Sequence, residues 1–143
     1  MIYTYDPSQV LGSLGDHSVR GYSDGTFVNI EFEGDGITSK TGADGEVVRS
    51  IDPNRTATLT ITVQQTSPTV AFCQQKYDLD RATSGGGMFP VVYKDLKSGM
   101  LFSAEHAWVQ KPPAREYGRQ DTDRTIVIST GPCTFTGEVY PES

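Results

Sequence analysis

From Thr56 to Gln64 the chain alternates without a break. Ala57, Leu59, Ile61 and Val63 hold one parity, and Thr56, Thr58, Thr60, Thr62 and Gln64 hold the other. A period of two sends successive side chains to opposite faces of a strand, so this segment buries an apolar face and wets a hydroxyl-rich one. A helix would scatter both sets around its circumference. The strand stops at Thr66-Ser67-Pro68, where Ser67 can cap free N–H groups and Pro68 has the fixed φ of a first helical position. A helix is therefore predicted from Pro68.

That helix runs to about Thr83, roughly 24 Å at 1.5 Å per residue, and ends at Ser84-Gly85-Gly86-Gly87. Val70, Cys73 and Tyr77 form its apolar stripe, Phe72 and Leu79 flank it, and Gln74, Gln75, Lys76, Asp78 and Arg81 face out. A second alternating strand spans Thr26 to Glu33, with Val28, Ile30 and Phe32 opposed to Asn29, Glu31 and Glu33. With a weaker strand near Ser18 to Tyr22 it reads as a hairpin across the Asp24-Gly25 turn. Further strands are expected over Met88–Tyr93, edge-like because of Pro90, and over Met100–Val109, Arg124–Thr130 and Cys133–Tyr140. A polar loop lies between Pro112 and Asp123.

Residues 34–54 differ from the rest. Gly34, Gly36, Gly42, Gly45 and Pro53 punctuate a polar run whose core candidates are Ile37, Val47, Val48 and Ile51, so it reads as a projecting Gly-rich arm or long hairpin. At 143 residues the chain reads as one domain, able to bury roughly two-thirds of its unfolded surface in a single core. Gly at 15 of 143 exceeds the usual ~7% and favours short strands and turns over a helical bundle. The fold class is mainly β: a sandwich or small barrel of about seven strands with one helix over about 68–83.

Twelve basic against eighteen acidic residues give a net charge of −6, which repels a polyanion and argues against a phosphate-gripping nucleic-acid binder. Cys73 and Cys133 lie far apart with no CxxC and no His at ligand spacing, so two free thiols in a reducing compartment are expected, with no metal and no cofactor. Met1-Ile-Tyr-Thr-Tyr-Asp-Pro7 has neither a basic nor an apolar secretory region, and no apolar run approaches the ~18 residues of a membrane span. The expectation is a chain made soluble in the cytoplasm, without a membrane anchor.

No motif in the sequence assembles a reactive site. Gly34-Asp-Gly-Ile-Thr-Ser-Lys40-Thr41 has Ser39 where a phosphate loop needs glycine, and no helix follows. Asp78 and Asp80 point to different helix faces. Glu105 and His106 are adjacent on a strand, so they are expected on opposite faces and not as a dyad. Trp108 alternates with Phe102, Ala104 and His106; it reads as a core anchor, or alternatively as an inter-subunit anchor. No converging set of catalytic groups appears, so the chain is read as no enzyme.

The Gly-rich loop with Thr41-Gly-Ala-Asp-Gly-Glu46, the Thr-rich strand, the Thr66-Ser-Pro68 helix start and the later Ala107-Trp-Val-Gln-Lys-Pro-Pro113 together resemble the tail tube proteins of contractile-tailed bacteriophages. The resemblance runs from about Gly34 to about Thr130. It implies a structural virion protein whose β-sandwich subunits form hexameric rings, stacked into a tube inside a contractile sheath, with strands of each subunit joining a ring-wide inner barrel. Double-stranded DNA would pass through without specific binding. The implied partners are further copies of the chain, the tail sheath, the baseplate or tube initiator and the tape-measure protein, and the implied location is the virion tail.

On that resemblance Thr56, Thr58, Thr60, Thr62 and Gln64 would face the lumen, joined by Glu31 and Glu33, with Ala57, Leu59, Ile61 and Val63 in the core. An ordinary solvent-exposed sheet face is the plainer alternative. Gly42, Asp44, Gly45, Glu46 and Arg49 in the arm, with Trp108, become candidates for contacts between subunits or rings; a mere surface hairpin is the alternative for the arm. Residues 1–20 and 132–143 match no pattern of the family. Two other readings stand beside it. One is a type VI secretion ring protein of the same architecture. The other is a β-sandwich ligand-binding module, which would need clustered exposed aromatics, whereas the tyrosines are scattered.

Overall fold

The alternating segment is a strand whose every second residue is fully buried, and the computed structural model, which describes residues 1–142, builds one large sheet around it. In chain order the strands are β1 (Val10–Leu14), β2 (His17–Ser18), β3 (Val28–Phe32), β4 (Ile37–Thr41), β5 (Val47–Ile51), β6 (Ala57–Val63), β7 (Phe89–Asp95), β8 (Met100–Lys111), β9 (Arg124–Thr130) and β10 (Cys133–Thr136). One α-helix, α1 (Pro68–Thr83), lies between β6 and β7. The main sheet runs β2-β1-β7-β8-β9-β6-β3, with β10 beside β8, and β4 and β5 pair only with each other.

β8 is the strand shared by two leaves. Its first half pairs with β7 on one side and β10 on the other, and its second half pairs with β9. Register along β9 and β10 is continuous, from Trp108↔Ser129 to Ala104↔Cys133, so the two form one strand interrupted at Gly131-Pro132, opposite Glu105-His106. There both partners spend two consecutive residues outside: Ala104 and Ala107 are buried with Cys133 and Thr130, while Glu105, His106 and Pro132 are exposed. Against β7 the same point is a bulge, because Val91 faces Ala104 and Phe89 faces Ala107. The ribbon turns a corner there and changes the parity of its inward face.

Two leaves thus enclose one core of Leu14, Leu59, Ile61, Val63, Val91, Tyr93, Phe102, Ile126 and Ile128, all essentially without solvent contact. Where the leaves meet opposite the corner, Phe32 stands edge-on to Phe102 and Phe135, at 6.4 and 6.3 Å between centroids. α1 covers the core from β8, β9 and β2, burying Thr69 and Cys73 while Val70, Phe72 and Tyr77 pack at its margin. Its predicted start holds: the Ser67 hydroxyl accepts the Thr69 N–H, Pro68 opens the first turn, and Ser84 closes the helix in the left-handed region at φ 54°. Both cysteines are free and buried, and burial pushes the Cys73 thiol up to about 12.

Two expectations are corrected, and one strand escaped prediction. The predicted hairpin of 18–22 with 26–33 does not form; β3 pairs with β6, and Tyr22 bridges to Val63. β7 is central, between β1 and β8, and not an edge strand. Pro90 is tolerated because it sits at the β7–β8 bulge, where a ladder N–H is not needed. β1 escaped the sequence pattern because Gly12 occupies the inward position between Val10 and Leu14. The Tyr93 ring fills its space, and a Cβ on Gly12 would collide with that ring.

The two termini clasp the β7–β8 turn. The Tyr140 hydroxyl donates to buried Asp95 (2.9 Å), Val139 N–H bonds the Ser98 carbonyl (3.1 Å), and Tyr3 bridges to Glu142. The helix start is tied to the β1–β2 hairpin through His17, whose ring stacks on Phe72 at 4.7 Å and whose Nε2 lies 2.9 Å from the Thr69 hydroxyl. Partial burial, and then the Arg20 charge, hold His17 below its usual pKa of 6.5 despite Asp16.

Two outcomes follow. Gly12→Ala drives a methyl into the immobile Tyr93 ring and should cost about 1–3 kcal/mol, read as a lower urea midpoint at unchanged slope. Because the folded pKa of His17 is depressed, the unfolded chain takes up the proton first, so stability falls as pH drops through 6.5 towards the folded value. Urea titrations at pH 7.0 and 5.5 should show this loss in the wild type and a smaller one in His17→Gln.

Candidate functional site

The second leaf, made of β3, β6, β9 and the second half of β8, presents a regular polar surface on its outer face. Strand pairing brings its side chains into rows. One row runs Glu31, Thr58, Ser129, Trp108 across β3, β6, β9 and β8; the next runs Asn29, Thr60, Val127, Lys111. Thr62 pairs with Thr125 below them. Directly opposed residues of an antiparallel pair share a face, so the expected set of Thr56, Thr58, Thr60, Thr62, Glu31 and Glu33 is brought together. Gln64 continues it past the end of β6, where its side-chain amide donates to the Tyr22 carbonyl (3.2 Å). Ala57, Leu59, Ile61 and Val63, each fully buried, hold this face from behind.

Its chemistry is that of hydroxyls and carboxylates. The Thr58 hydroxyl donates to Glu33 Oε1 (2.8 Å), and the Thr56 hydroxyl lies 3.1 Å from Oε2, so Glu33 is aimed along the sheet and not free to swing. The Ser129 hydroxyl donates to the Gln110 side-chain oxygen, which places Gln110 on the same face. Of the cationic side chains within these four strands, Arg124 turns inward beside Val63 and is buried, whereas Lys111 stands exposed at the outer end of β8. Arg124 is satisfied by the Glu116 and Thr122 carbonyls and the Thr122 hydroxyl, and lies 5.3 Å from the Tyr117 ring centre, tying down the 112–123 loop.

Sequence reasoning missed Thr125, Ser129 and Gln110 as members of this face. The signal was present in β9, where Arg124, Ile126 and Ile128 alternate with Thr125, Val127 and Ser129. Two readings on β8 are overturned by the corner. Trp108 is not a core anchor: Ala107 and Val109 are the buried residues, and Trp108 stands half-buried beside Ser129 on the polar face. Glu105 and His106 are not on opposite faces. Both are exposed and line one shallow depression with Ser103, Pro132 and Thr134.

The arm is a β-hairpin standing off the sheet. β4 and β5 pair from Ile37↔Ile51 to Thr41↔Val47, and the Asp52 N–H closes its base on the Gly36 carbonyl (2.8 Å). Its tip is the Gly42–Glu46 turn, with Gly45 at φ 89° and the Asp44 carboxylate accepting the Glu46 N–H (3.2 Å). Every residue from Glu31 to Arg55 is exposed, so Gly42, Asp44, Gly45, Glu46 and Arg49 meet solvent. Ile37, Val47 and Ile51 share one face with Arg49 and are 57, 60 and 72% exposed, although a lone two-stranded hairpin is only marginally stable in water.

Among the described residues there is no cluster of three or more potential metal ligands, and no helix is long and apolar enough to cross a membrane. Residues 10–132 match the model of the family described as Bacteriophage PhiTE tail tube protein. A structural protein, ORF10, of Pseudomonas phage KPP10 is 30% identical over 139 residues, covering 92% of this chain and 80% of the relative. Among solved structures the fold is similar to the tube-terminating cap of the anti-feeding prophage, at TM-score 0.62 and 10% identity over 96% of this chain and 93% of the other. It is also similar to the sheath/tube terminator of the extracellular contractile injection system PVC, at 0.61 and 8% over 94% and 98%. The chain of that system's sheath-tube complex matches at 0.57 and 10% over 94% and 93%. At such identities these structures establish the shared fold.

Since the arm contributes no buried residue, excising residues 37–51 across a short Gly-Ser turn should leave the thermal midpoint within a few °C of the wild type. Circular dichroism melting checks this; a large fall would mean that the arm is integral to the core.

Proposed function

Because the chain belongs to the bacteriophage PhiTE tail tube protein family, and is thus a structural component of a phage tail, we propose that it polymerises as stacked hexameric rings into the tube that conducts the genome during sheath contraction and ejection. The observation that carries this reading is the polar face of β3, β6, β9 and β8. It is broad, hydroxyl-rich, backed by a rigid core and acidic at one end, with its single cation at the other.

Such a face suits a conduit wall. Threonine and serine hydroxyls are wettable and strand-favouring, and they carry no positive charge to hold phosphates. Glu31 and Glu33 repel the duplex, so DNA slides without specific binding. Turned inward around a ring, the four-stranded leaf closes into an inner barrel, and closure removes the open edges that make a free sheet prone to aggregate. α1 then lies on the outer side of the tube. The arm supplies the contacts between subunits or rings: its exposed isoleucines and valine gain cover there, and the Gly42–Glu46 tip permits close backbone approach.

In this role the protein is no enzyme and needs no cofactor. Its partners are further copies of itself, the sheath, the baseplate or tube initiator and the tape-measure protein. It is synthesised in the host cytoplasm and ends in the virion tail. The similar structures include a sheath-tube complex and a sheath/tube terminator of a contractile injection system, which supports association of such a tube with a sheath.

Negative-stain electron microscopy of the purified protein over a concentration series, alone and with its cognate baseplate, tests the reading. Six-fold rings or stacked tubes are expected, and the arm-excised chain should lose them while keeping its fold. Monomers under both conditions would overturn it.

A further inference from the structure

The polar leaf ends on two strands of opposite chemistry. β3 is last in the strand order. The Glu33 N–H bonds back to the Thr56 carbonyl (3.1 Å), so by alternation the backbone groups of Val28, Ile30 and Phe32 point away from β6 to an open edge. At the other end β8 loses β7 beyond Phe89↔Ala107, and Val109–Lys111 is paired on the β9 side alone. β8 is antiparallel to β9, β9 to β6 and β6 to β3. An even number of strands therefore leaves β3 and β8 running in opposite senses, and a second copy's β8 laid against β3 continues the antiparallel pattern.

The side chains agree with that continuation. On the polar face the β3 end carries Glu31 and Glu33, and the β8 end carries half-buried Trp108 and exposed Lys111. Glu33 is engaged by the threonine hydroxyls of its own copy, whereas Glu31, one pair further along and exposed, is the carboxylate offered at the edge. Across an antiparallel joint, opposed residues stand about 5 Å apart, and diagonal neighbours lie within reach of an indole or a lysine stem.

We propose that Trp108–Lys111 of one copy and β3 of the next form the joint between subunits, with Lys111 pairing Glu31 and the Trp108 ring lying over the Glu31–Glu33 segment. This rests on the ring reading above and assigns its contact surface. The occupant is a second copy of this chain, chosen by charge complementarity and strand sense. Trp108 is then neither a core residue nor a free lumen aromatic; it seals the seam. Pro112 and Pro113 end the joining edge directly after Lys111, which limits the contact to a few residues and fixes its position.

Charge reversal tests the pairing. Glu31→Lys and Lys111→Glu, both at exposed positions, should each raise the concentration for half-maximal ring formation about tenfold or more, and the double variant should return to within about threefold of the wild type. Trp108 is the only tryptophan, so its emission should shift to shorter wavelength as wild-type rings form. Far-UV circular dichroism checks folding; if a reversal unfolds the chain, Glu31→Gln and Lys111→Gln replace it, with weakening expected from each. Wild-type rings that form with unchanged Trp108 emission, or single variants that assemble like the wild type, would overturn the joint while leaving the tube reading standing. Absence of wild-type rings, alone and on the baseplate, would overturn both.

Discussion

The corner in the β8 ribbon is the constraint on which the rest of the structure depends. Up to Val109, β8 keeps one register against β9 and β10, yet both sides turn two consecutive residues outward at Glu105-His106 and Gly131-Pro132. Pro132 suits that place by lacking an N–H that a ladder would leave unmet, while the Gly131 N–H still bonds the His106 carbonyl (2.8 Å). Without the corner a single twisted sheet would expose either Phe102 and Ala104 or Ala107 and Val109, because one straight parity cannot bury both pairs. With it, two leaves face each other over one core, and the polar side of the second leaf becomes a continuous surface.

That surface is rigid because its reverse is the best-packed part of the molecule. Leu59, Ile61, Val63, Ile126 and Ile128 are all fully buried behind it, and close-packed interiors yield little to local force. In the proposed function, a wall that keeps its bore under the load of a contracting sheath needs that property. The arm has the opposite character, with every side chain in solvent and no share in the core. On the proposed function, rigid wall and unsupported hairpin within one small domain divide the tasks of shape and connection, and only the first is complete in the isolated chain.

Most of the fold was legible because its strongest elements obey a single period. The 56–64 alternation, the Ser67-Pro68 start and the glycine stop of α1 needed no tertiary information, and the helix has the predicted bounds. The failures lie where tertiary packing overrides a local pattern. Gly12 replaces an apolar side chain because Tyr93 reaches across to fill its space, so β1 shows no alternation. The bulge opposite β7 shifts the phase of β8 after Ala104, which carries Trp108 outward and brings Glu105 and His106 to the same side. Pro90 marked an edge strand by rule, yet a bulge makes its missing N–H harmless in the middle of the sheet. Of the candidate site, the Thr and Glu rows were readable from β6 and β3 alone, whereas Ser129, Gln110 and Lys111 join them only through strand order, which a single sequence does not reveal.

An open β3 edge, a bare hairpin and a half-buried tryptophan would be aggregation hazards in a chain meant to remain monomeric. Here each is guarded rather than removed. Glu31 and Glu33 put like charges along the β3 edge, so two such edges repel each other. Pro112-Pro113 stops strand addition past Lys111, and Arg49 interrupts the apolar face of the arm. Such guards act against wrong partners and spare the right one: an acidic edge that rejects its own kind accepts a basic one, and a short edge admits a partner only in a narrow range of registers. In the proposed joint the same residues give the polymer direction, because the two ends of the leaf differ and a ring built from them propagates in one sense around its axis.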